Sequence, residues 1–223
     1  MRKLYIDPVS TVCRPLAMFL AEHDLGVEIC PVDLRRGEHR SEWFARVNPN
    51  LVVPAFEEDG FVLTESATIL RYLAQLADSP TYPADLRARA RIDEALDWFN
   101  TGFYRDHGYG LVYPQVLPDY RILDSKGGEL RAWHAARVEA RLHVLDAHMI
   151  GDHGTWATGE DFSIADMFGA SLVTLGDLIG YNLAPYPNVC RWLAAVQARP
   201  SWSEANAAFY GWQDMLAPRA LAA

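Results

Sequence analysis

The stretch Val52-Val53-Pro54-Ala55-Phe56-Glu57-Glu58-Asp59-Gly60-Phe61-Val62-Leu63 reads as two apolar runs joined by the turn Glu57-Glu58-Asp59-Gly60. An Asp-Gly step between such runs signals a hairpin, because these two residues reach the positive φ that a tight turn needs. Upstream, short β-rich runs alternate with helical patterns: Leu4-Tyr5-Ile6, a helix through Leu16, Phe19 and Leu20, the run Val27 to Val32, and a short helix around Trp43-Phe44. Downstream, Ile69, Leu70, Leu73 and Leu76 recur at helical spacing.

The resulting order, βαβ and then ββα, describes a thioredoxin-like α/β domain over residues 1–77. Periodicity alone also admits other small α/β arrangements. Asp78-Ser79-Pro80-Thr81-Tyr82-Pro83 carries two prolines and no amphipathic pattern, so residues 78–84 read as a linker. Residues 85–223 read as an all-α domain. Arg87 to Tyr104 and Glu129 to Met149 are long helical patterns, Ser163-Ile164-Ala165-Asp166 has the form of a capping box, and a further helix from Val189 to Ala198 stops before Pro200.

The 223-residue chain is half apolar and carries a formal charge of −9. With no segregated basic patch, that balance argues against a nucleic-acid groove or an anionic membrane surface. The opening MRKLYIDP meets a proline before any apolar stretch accumulates, and no later run has the length a bilayer requires, so the expectation is a soluble, cytoplasmic protein without signal peptide or anchor. Cys13, Cys30 and Cys190 form no C-x-x-C pair and the histidines no H-E-x-x-H, so neither a disulfide framework nor a metal is expected.

Laid end to end, these elements resemble the cytosolic glutathione transferases in their serine-using theta/delta form. Tyr5-Ile6-Asp7-Pro8-Val9-Ser10-Thr11-Val12-Cys13-Arg14 is similar to the family's strand-loop-helix opening, with Ser-x-x-Cys-Arg as its theta/delta signature. Asn48-Pro49-Asn50-Leu51-Val52-Val53-Pro54 resembles the segment ending in a cis-proline, Thr64-Glu65-Ser66-Ala67-Thr68-Ile69-Leu70 the Glu-Ser step at the third helix, and Ser163 to Asp166 the capping motif of the helical domain. Leu51, Val52 and Ala67 depart from the polar residues that close relatives often carry there.

The resemblance implies glutathione as cosubstrate, a homodimer, and conjugation to small apolar electrophiles. A thiol with pKa near ~8.5 is mostly protonated at neutral pH. Lowering that value by about two units takes about 2.7 kcal/mol. A charge-assisted hydrogen bond from the Ser10 hydroxyl, worth roughly 1.5 to 3 kcal/mol, together with about 0.3 to 1 from a helix N-terminus, supplies it without a base. Ser10 is equally a natural helix cap, and Thr11 offers a neighbouring hydroxyl.

Cys13 reads either as packing or as a partner for a mixed disulfide. Arg14 reads as directed at the catalytic hydroxyl or paired with an acidic neighbour. For the γ-glutamyl group the resemblance implies Glu65 and Ser66, which otherwise read as plain capping residues. It implies Val53 and Pro54 for the cysteinyl backbone, Pro54 otherwise reading as an edge-strand proline, and His39 for the glycyl carboxylate, with Arg40 as competitor. Tyr104, His107, Tyr109 and Tyr113 are the candidates for the electrophile pocket, with Phe209-Tyr210-Gly211-Trp212 closing over it; aromatic stripes of this kind also build cores. A glutathione-dependent dehalogenase, and a transferase-like binding module without catalysis, are the rival readings.

Overall fold

Leu4, Tyr5 and Ile6 are buried in succession, as befits a strand covered on both faces. This strand, β1 (Arg2–Ile6), pairs in parallel with β2 (Val27–Pro31) and antiparallel with β3 (Ala55–Glu58), which pairs with β4 (Phe61–Thr64). The sheet order is β2-β1-β3-β4. The structure, a computed structural model, describes residues 1–123 and 128–220, with the side chains of 122, 123 and 217–220 excepted. Parts of the expected helical domain, 124–127 and 221–223, therefore lie outside the described residues.

The hairpin is tighter than its sequence suggests. Glu58 pairs with Phe61, so the turn is only Asp59 and Gly60, with φ of 48° and 88° as a type I′ turn demands. The two glutamates stay in the strand because their carboxylates are engaged along the sheet. Tyr5 donates to Glu57 at 2.9 Å, Arg2 Nε to Glu58 at 2.6 Å and Tyr72 to Glu58 at 2.5 Å. The strand also begins later, at Ala55, because the Asn48 amide takes up the Val52 carbonyl at 2.6 Å; the Val53–Pro54 peptide before it is cis.

Helix α1 (Arg14–Glu22) and helix α3 (Ser66–Leu76) pack together, burying Leu16, Met18 and Phe19 on one and Ile69, Leu70 and Leu73 on the other. On α2 (Glu42–Val47), Phe44 meets the ring of Tyr5 edge-on. The segment 78–84 is pinned rather than loose: Ser79 Oγ lies 2.9 Å from both His23 Nε2 and Thr81 Oγ1, Tyr82 donates to Asp93 at 2.9 Å, and the Thr81 carbonyl accepts from Ile164 N–H at 3.1 Å.

Beyond it, α4 (Leu86–Asp97) is capped by Asp85, which accepts from the amides of Arg87 and Ala88. The rod runs past the expected end at Tyr104 through π-helical stretches Trp98–Phe103 and Arg105–Val112 into α5 (Tyr113–Val116). Helix α6 (Glu129–Val144) likewise continues as a π-helical turn, Leu145–Ile150. Where the two rods cross, Gly110 is obligatory: a Cβ there would stand 2.2 Å from the His134 ring.

All ten residues of α7 (Ile164–Val173) are buried, the pattern of a helix surrounded by others. Its capping box is present, and the Asp166 carboxylate accepts from the Ser163 and Ala157 amides and from Trp192 Nε1, each at 2.8 Å, tying α7 to α8 (Pro187–Gln197). Helix α9 (Pro200–Ala220) completes the domain. One continuous core links both halves, with α1 packed on α7 and α9. Among the described residues no helix is long and apolar enough to cross a membrane.

His107 belongs to this core. It is 1% exposed, stacked on Phe103 at 4.8 Å and edge-on to Tyr181 at 5.7 Å, so packing, not substrate contact, is the role its surroundings support. Burial pushes its pKa down from 6.5 to about 4, opposed by a contact with the Val173 backbone. A folded-state pKa below the unfolded one means stability that is full above the unfolded value and is lost as pH falls toward the folded one. Between pH 7 and 5 this single group should cost about 2 kcal/mol of stability, and the fall in urea midpoint over that range should shrink in His107→Phe. An identical fall in the variant would show that other groups carry the acid sensitivity.

Candidate functional site

Strand register gathers the loops that carry the candidate residues. Tyr5 of β1 lies opposite Ala55 of β3, which lies opposite Thr64 of β4, and Ile6 lies beside Pro31 of β2. The loop after β1, the segment after β2, the segment entering β3 and the residues leaving β4 therefore emerge at one end of the sheet. Ser10, His39, Val53 with Pro54, and Glu65 with Ser66 sit on those four segments in that order.

Two side chains not singled out from the sequence hold these loops in shape. Asp7, 6% exposed, accepts from the Val9 amide at 2.8 Å and, across the loop gap, from the Leu34 amide at 2.9 Å. It thereby joins the Ser10 loop to the segment bearing His39. Asn48, fully buried, accepts from the Asn50 amide at 3.0 Å while its own amide holds Val52, shaping the approach to Val53. Both are Asx turns, and Asp7-Pro8 and Asn48-Pro49 are the sequence signals from which they were legible.

Ser10 is half-buried and its carbonyl accepts from Cys13 and Arg14 amides at 3.0 and 3.2 Å, opening the turn that becomes α1. Its hydroxyl lies beside the Cys13 sulfur. Cys13 is completely buried, and burial pushes its thiol up to about 12 against the hydrogen bond from Ser10, so it packs and does not react. Thr11 is 4% exposed and its hydroxyl is taken by Tyr113 at 3.1 Å. Of the two neighbouring residues, Ser10 is the less buried and the one whose hydroxyl is not engaged by Tyr113.

His39 occupies a short 3₁₀ turn, Glu38–Arg40, with its Nδ1 buried and unpartnered among the described residues. Burial, then the neighbouring Arg40 charge, holds its pKa below the ordinary value, so it is neutral at neutral pH. Arg40 itself is turned away to Asp119 at 3.1 Å. Glu65 is exposed and has a φ of 68°, a conformation costing a non-glycine residue about 1–3 kcal/mol, while Ser66 begins α3 and is buried.

Against the Ser10 loop stands a tyrosine cluster. Tyr113 bonds Thr11 and, at 2.6 Å, the hydroxyl of Tyr104, and burial pushes the Tyr113 pKa up to about 12. Tyr109, 43% exposed, packs on both at 5.0 and 5.3 Å. Tyr120, which carries no local signal in the sequence, closes the group at 5.4 Å from Tyr113. Three of the four pocket candidates are thus assembled and His107 is not among them. The proposed closing segment is also revised: Phe209 is fully buried on α9, its ring 3.8 Å beneath the Arg14 guanidinium. Among the described residues no group of three or more His, Cys, Asp or Glu stands in metal-holding geometry.

The family model described as glutathione S-transferase, N-terminal domain, matches residues 4–81, and that described as glutathione S-transferase, C-terminal domain, matches residues 120–200. Glutathione S-transferase theta-1 of Bos taurus is 33% identical over 201 residues, spanning 88% of this chain and 82% of its own. The theta-1 enzyme of Mus musculus is 34% identical over the same spans. Human glutathione S-transferase T1-1 in its apo form superposes with a TM-score of 0.81 at 29% identity, over 96% of this chain and 91% of that one. Human glutathione transferase theta-2, solved in complex with glutathione and an unknown ligand, does so with 0.88 at 25% identity, over 98% and 91%. Two domain matches in the expected order, with identity of this size across most of the chain, place the protein in a family: it belongs to the glutathione S-transferases.

Proposed function

We propose that this transferase conjugates glutathione to small apolar electrophiles, with the Ser10 hydroxyl donating to the sulfur of the bound thiolate. The observation that carries the assignment to Ser10 is the engagement of its rival: Thr11 is buried with its hydroxyl on Tyr113, whereas Ser10 stays half-exposed at the loop end that α1 extends. The helix start behind it adds partial positive charge, and a hydrogen bond to an ionised acceptor is about twice as strong as a neutral one.

The thiolate attacks the electrophilic carbon, a carbon–sulfur bond forms, and the leaving atom departs with the bonding pair. The site then has only to hold the sulfur ionised and the electrophile in line. Tyr104, Tyr109 and Tyr113 supply the apolar wall for that second substrate, with Tyr109 at its accessible edge. Glutathione lies along the four gathered loops: Glu65 and Ser66 take the γ-glutamyl end, the Val53–Pro54 backbone the cysteinyl part, and His39 the glycyl carboxylate. Ser10→Ala should raise the pKa of bound thiol by about two units and lower turnover of an arylating electrophile roughly 100-fold, while Thr11→Val leaves the thiol pKa within about half a unit. The reverse ranking would transfer the role to Thr11.

His39 binds as a neutral donor at pH 7, and a carboxylate beside it raises its pKa. Release of the thiol proton on binding weakens glutathione affinity as pH falls from 7 to about 5.5, and proton uptake by His39 beside the carboxylate opposes that loss; calorimetry should therefore find His39→Ala weaker and falling more steeply with pH. An unchanged pH profile in the variant would remove His39 from the site.

A homodimer fits the apolar residues left on the surface. Phe61 and Val62 are 50% and 41% exposed on β4, the edge strand. Sedimentation should report about twice the 25.0 kDa chain mass, and Phe61→Lys should shift it toward one chain. A monomeric wild-type protein would refute the dimer.

A further inference from the structure

The sequence left Arg14 between two destinations, and the structure gives it neither. Its side chain is 1% exposed and turns into the seam between the two halves of the molecule. Nη1 donates to Thr174 Oγ1 at 3.2 Å and to Asn206 Oδ1 at 2.8 Å, Nη2 donates to the Ser171 carbonyl, and the guanidinium lies over the Phe209 ring. Every one of these partners is neutral. Nε has no partner, and among the described residues no carboxylate stands within ion-pairing distance of Arg14.

A buried charge of this kind is expensive to hold and its field is poorly screened. The contacts at Ser171 and Thr174 lie at the C-terminal end of α7, where a cation is favoured, and they account for part of its placement. They leave the net charge uncancelled. Burial draws the Arg14 pKa down to about 10, so it remains protonated at neutral pH. The groups that face it are Tyr104 and Tyr113 from the pocket wall, Tyr210 from α9 and Asp177 from the 3₁₀ turn after α7. Tyr113 responds to the Arg14 charge, which lowers its pKa against burial, and Tyr113 is bonded to the residue next to Ser10. The Arg14 backbone, meanwhile, is anchored on the Ser10 carbonyl.

We propose that Arg14 is a positioning residue whose buried charge, unpaired by a carboxylate, favours the thiolate at Ser10 over the thiol. The inference rests on the proposed thiolate site and adds to it a source of field that makes no contact with the substrate. Asp177 is the natural counterweight: burial pushes its carboxyl up to about 6, with Arg14 and Tyr210 pulling it down, so at pH 7 it is largely ionised and partly offsets Arg14.

The test titrates the thiolate absorbance of glutathione bound to the full chain in the wild type, Arg14→Gln, Arg14→Lys and Asp177→Asn. At an effective dielectric near 20, the field of a unit charge buried in the same region of a protein shifts a pKa by an amount on the order of one unit. Arg14→Gln should therefore raise the thiol pKa by about half a unit to one unit, a three- to tenfold loss of thiolate, while Arg14→Lys keeps it near the wild-type value although its fork of hydrogen bonds is gone. Asp177→Asn should lower it by a few tenths of a unit. Equal thiol pKa values in wild type and Arg14→Gln, with only stability changed, would overturn the proposal and leave Arg14 as a strut. If Arg14→Gln does not fold, an unmoved thiol pKa in Asp177→Asn overturns it by itself. Absence of glutathione binding in the wild type would instead sink the transferase reading on which the proposal depends.

Discussion

Helix α1 belongs to both halves of the molecule, and that shared burial governs the rest. Its Leu16, Met18 and Phe19 have no exposure at all, because α3 covers it from the sheet domain and α7 and α9 from the helical one. Removing one such side chain from a core costs about 2–5 kcal/mol, so α1 cannot shift without breaking the seam. At its far end Glu22 holds Arg199 through a two-pronged pair at 2.9 and 2.8 Å, and at its start Arg14 reaches across to α7 and α9. The loop carrying Ser10 is therefore aligned by contacts made in the opposite half of the chain. The Thr11–Tyr113 hydrogen bond adds a third crossing point beside the tyrosine cluster.

The remaining site residues are gathered by strand register and then shaped by polar clamps. Register alone brings four loops to one end of the sheet; it does not fix their conformations. Asp7 and Asn48, both buried, do so by accepting from the backbone amides of Val9, Leu34 and Asn50. Glu65 keeps an unfavourable φ in the same place. Conformational cost held by surrounding structure is what a preorganised binding surface requires, since the ligand then meets groups already in place.

What could be read from the sequence was what is local. The Asp-Gly hairpin, the capping box at Ser163 and the amphipathic stripe of α3 each lie within one segment and express one period or one turn type. The thioredoxin-like order followed from them, and the helical half from its long periodic stretches. The π-helical continuations at 98–112 and 145–150 were not legible, because they answer to how one rod lies against another, as at Gly110 and His134. His107 had the look of a pocket residue among tyrosines, but the π-helical turn around it sends it to the core side. Arg14 was opaque for a related reason: its hydrogen-bond partners lie 157, 160 and 192 residues away along the chain. Tyr120 likewise joins the tyrosine cluster through ring packing alone.

The claim on which the account turns is that glutathione is held at Ser10 as a thiolate, and the release of its proton on binding is the most direct measure. Calorimetric titration at pH 7 in buffers of different ionisation enthalpy should show roughly 0.7 proton released per site in the wild type, since the free thiol is almost fully protonated there and a bound one lowered by about two units is mostly ionised. Ser10→Ala should still bind glutathione and release almost none. Binding in the wild type with no proton release would contradict the account, whatever the turnover.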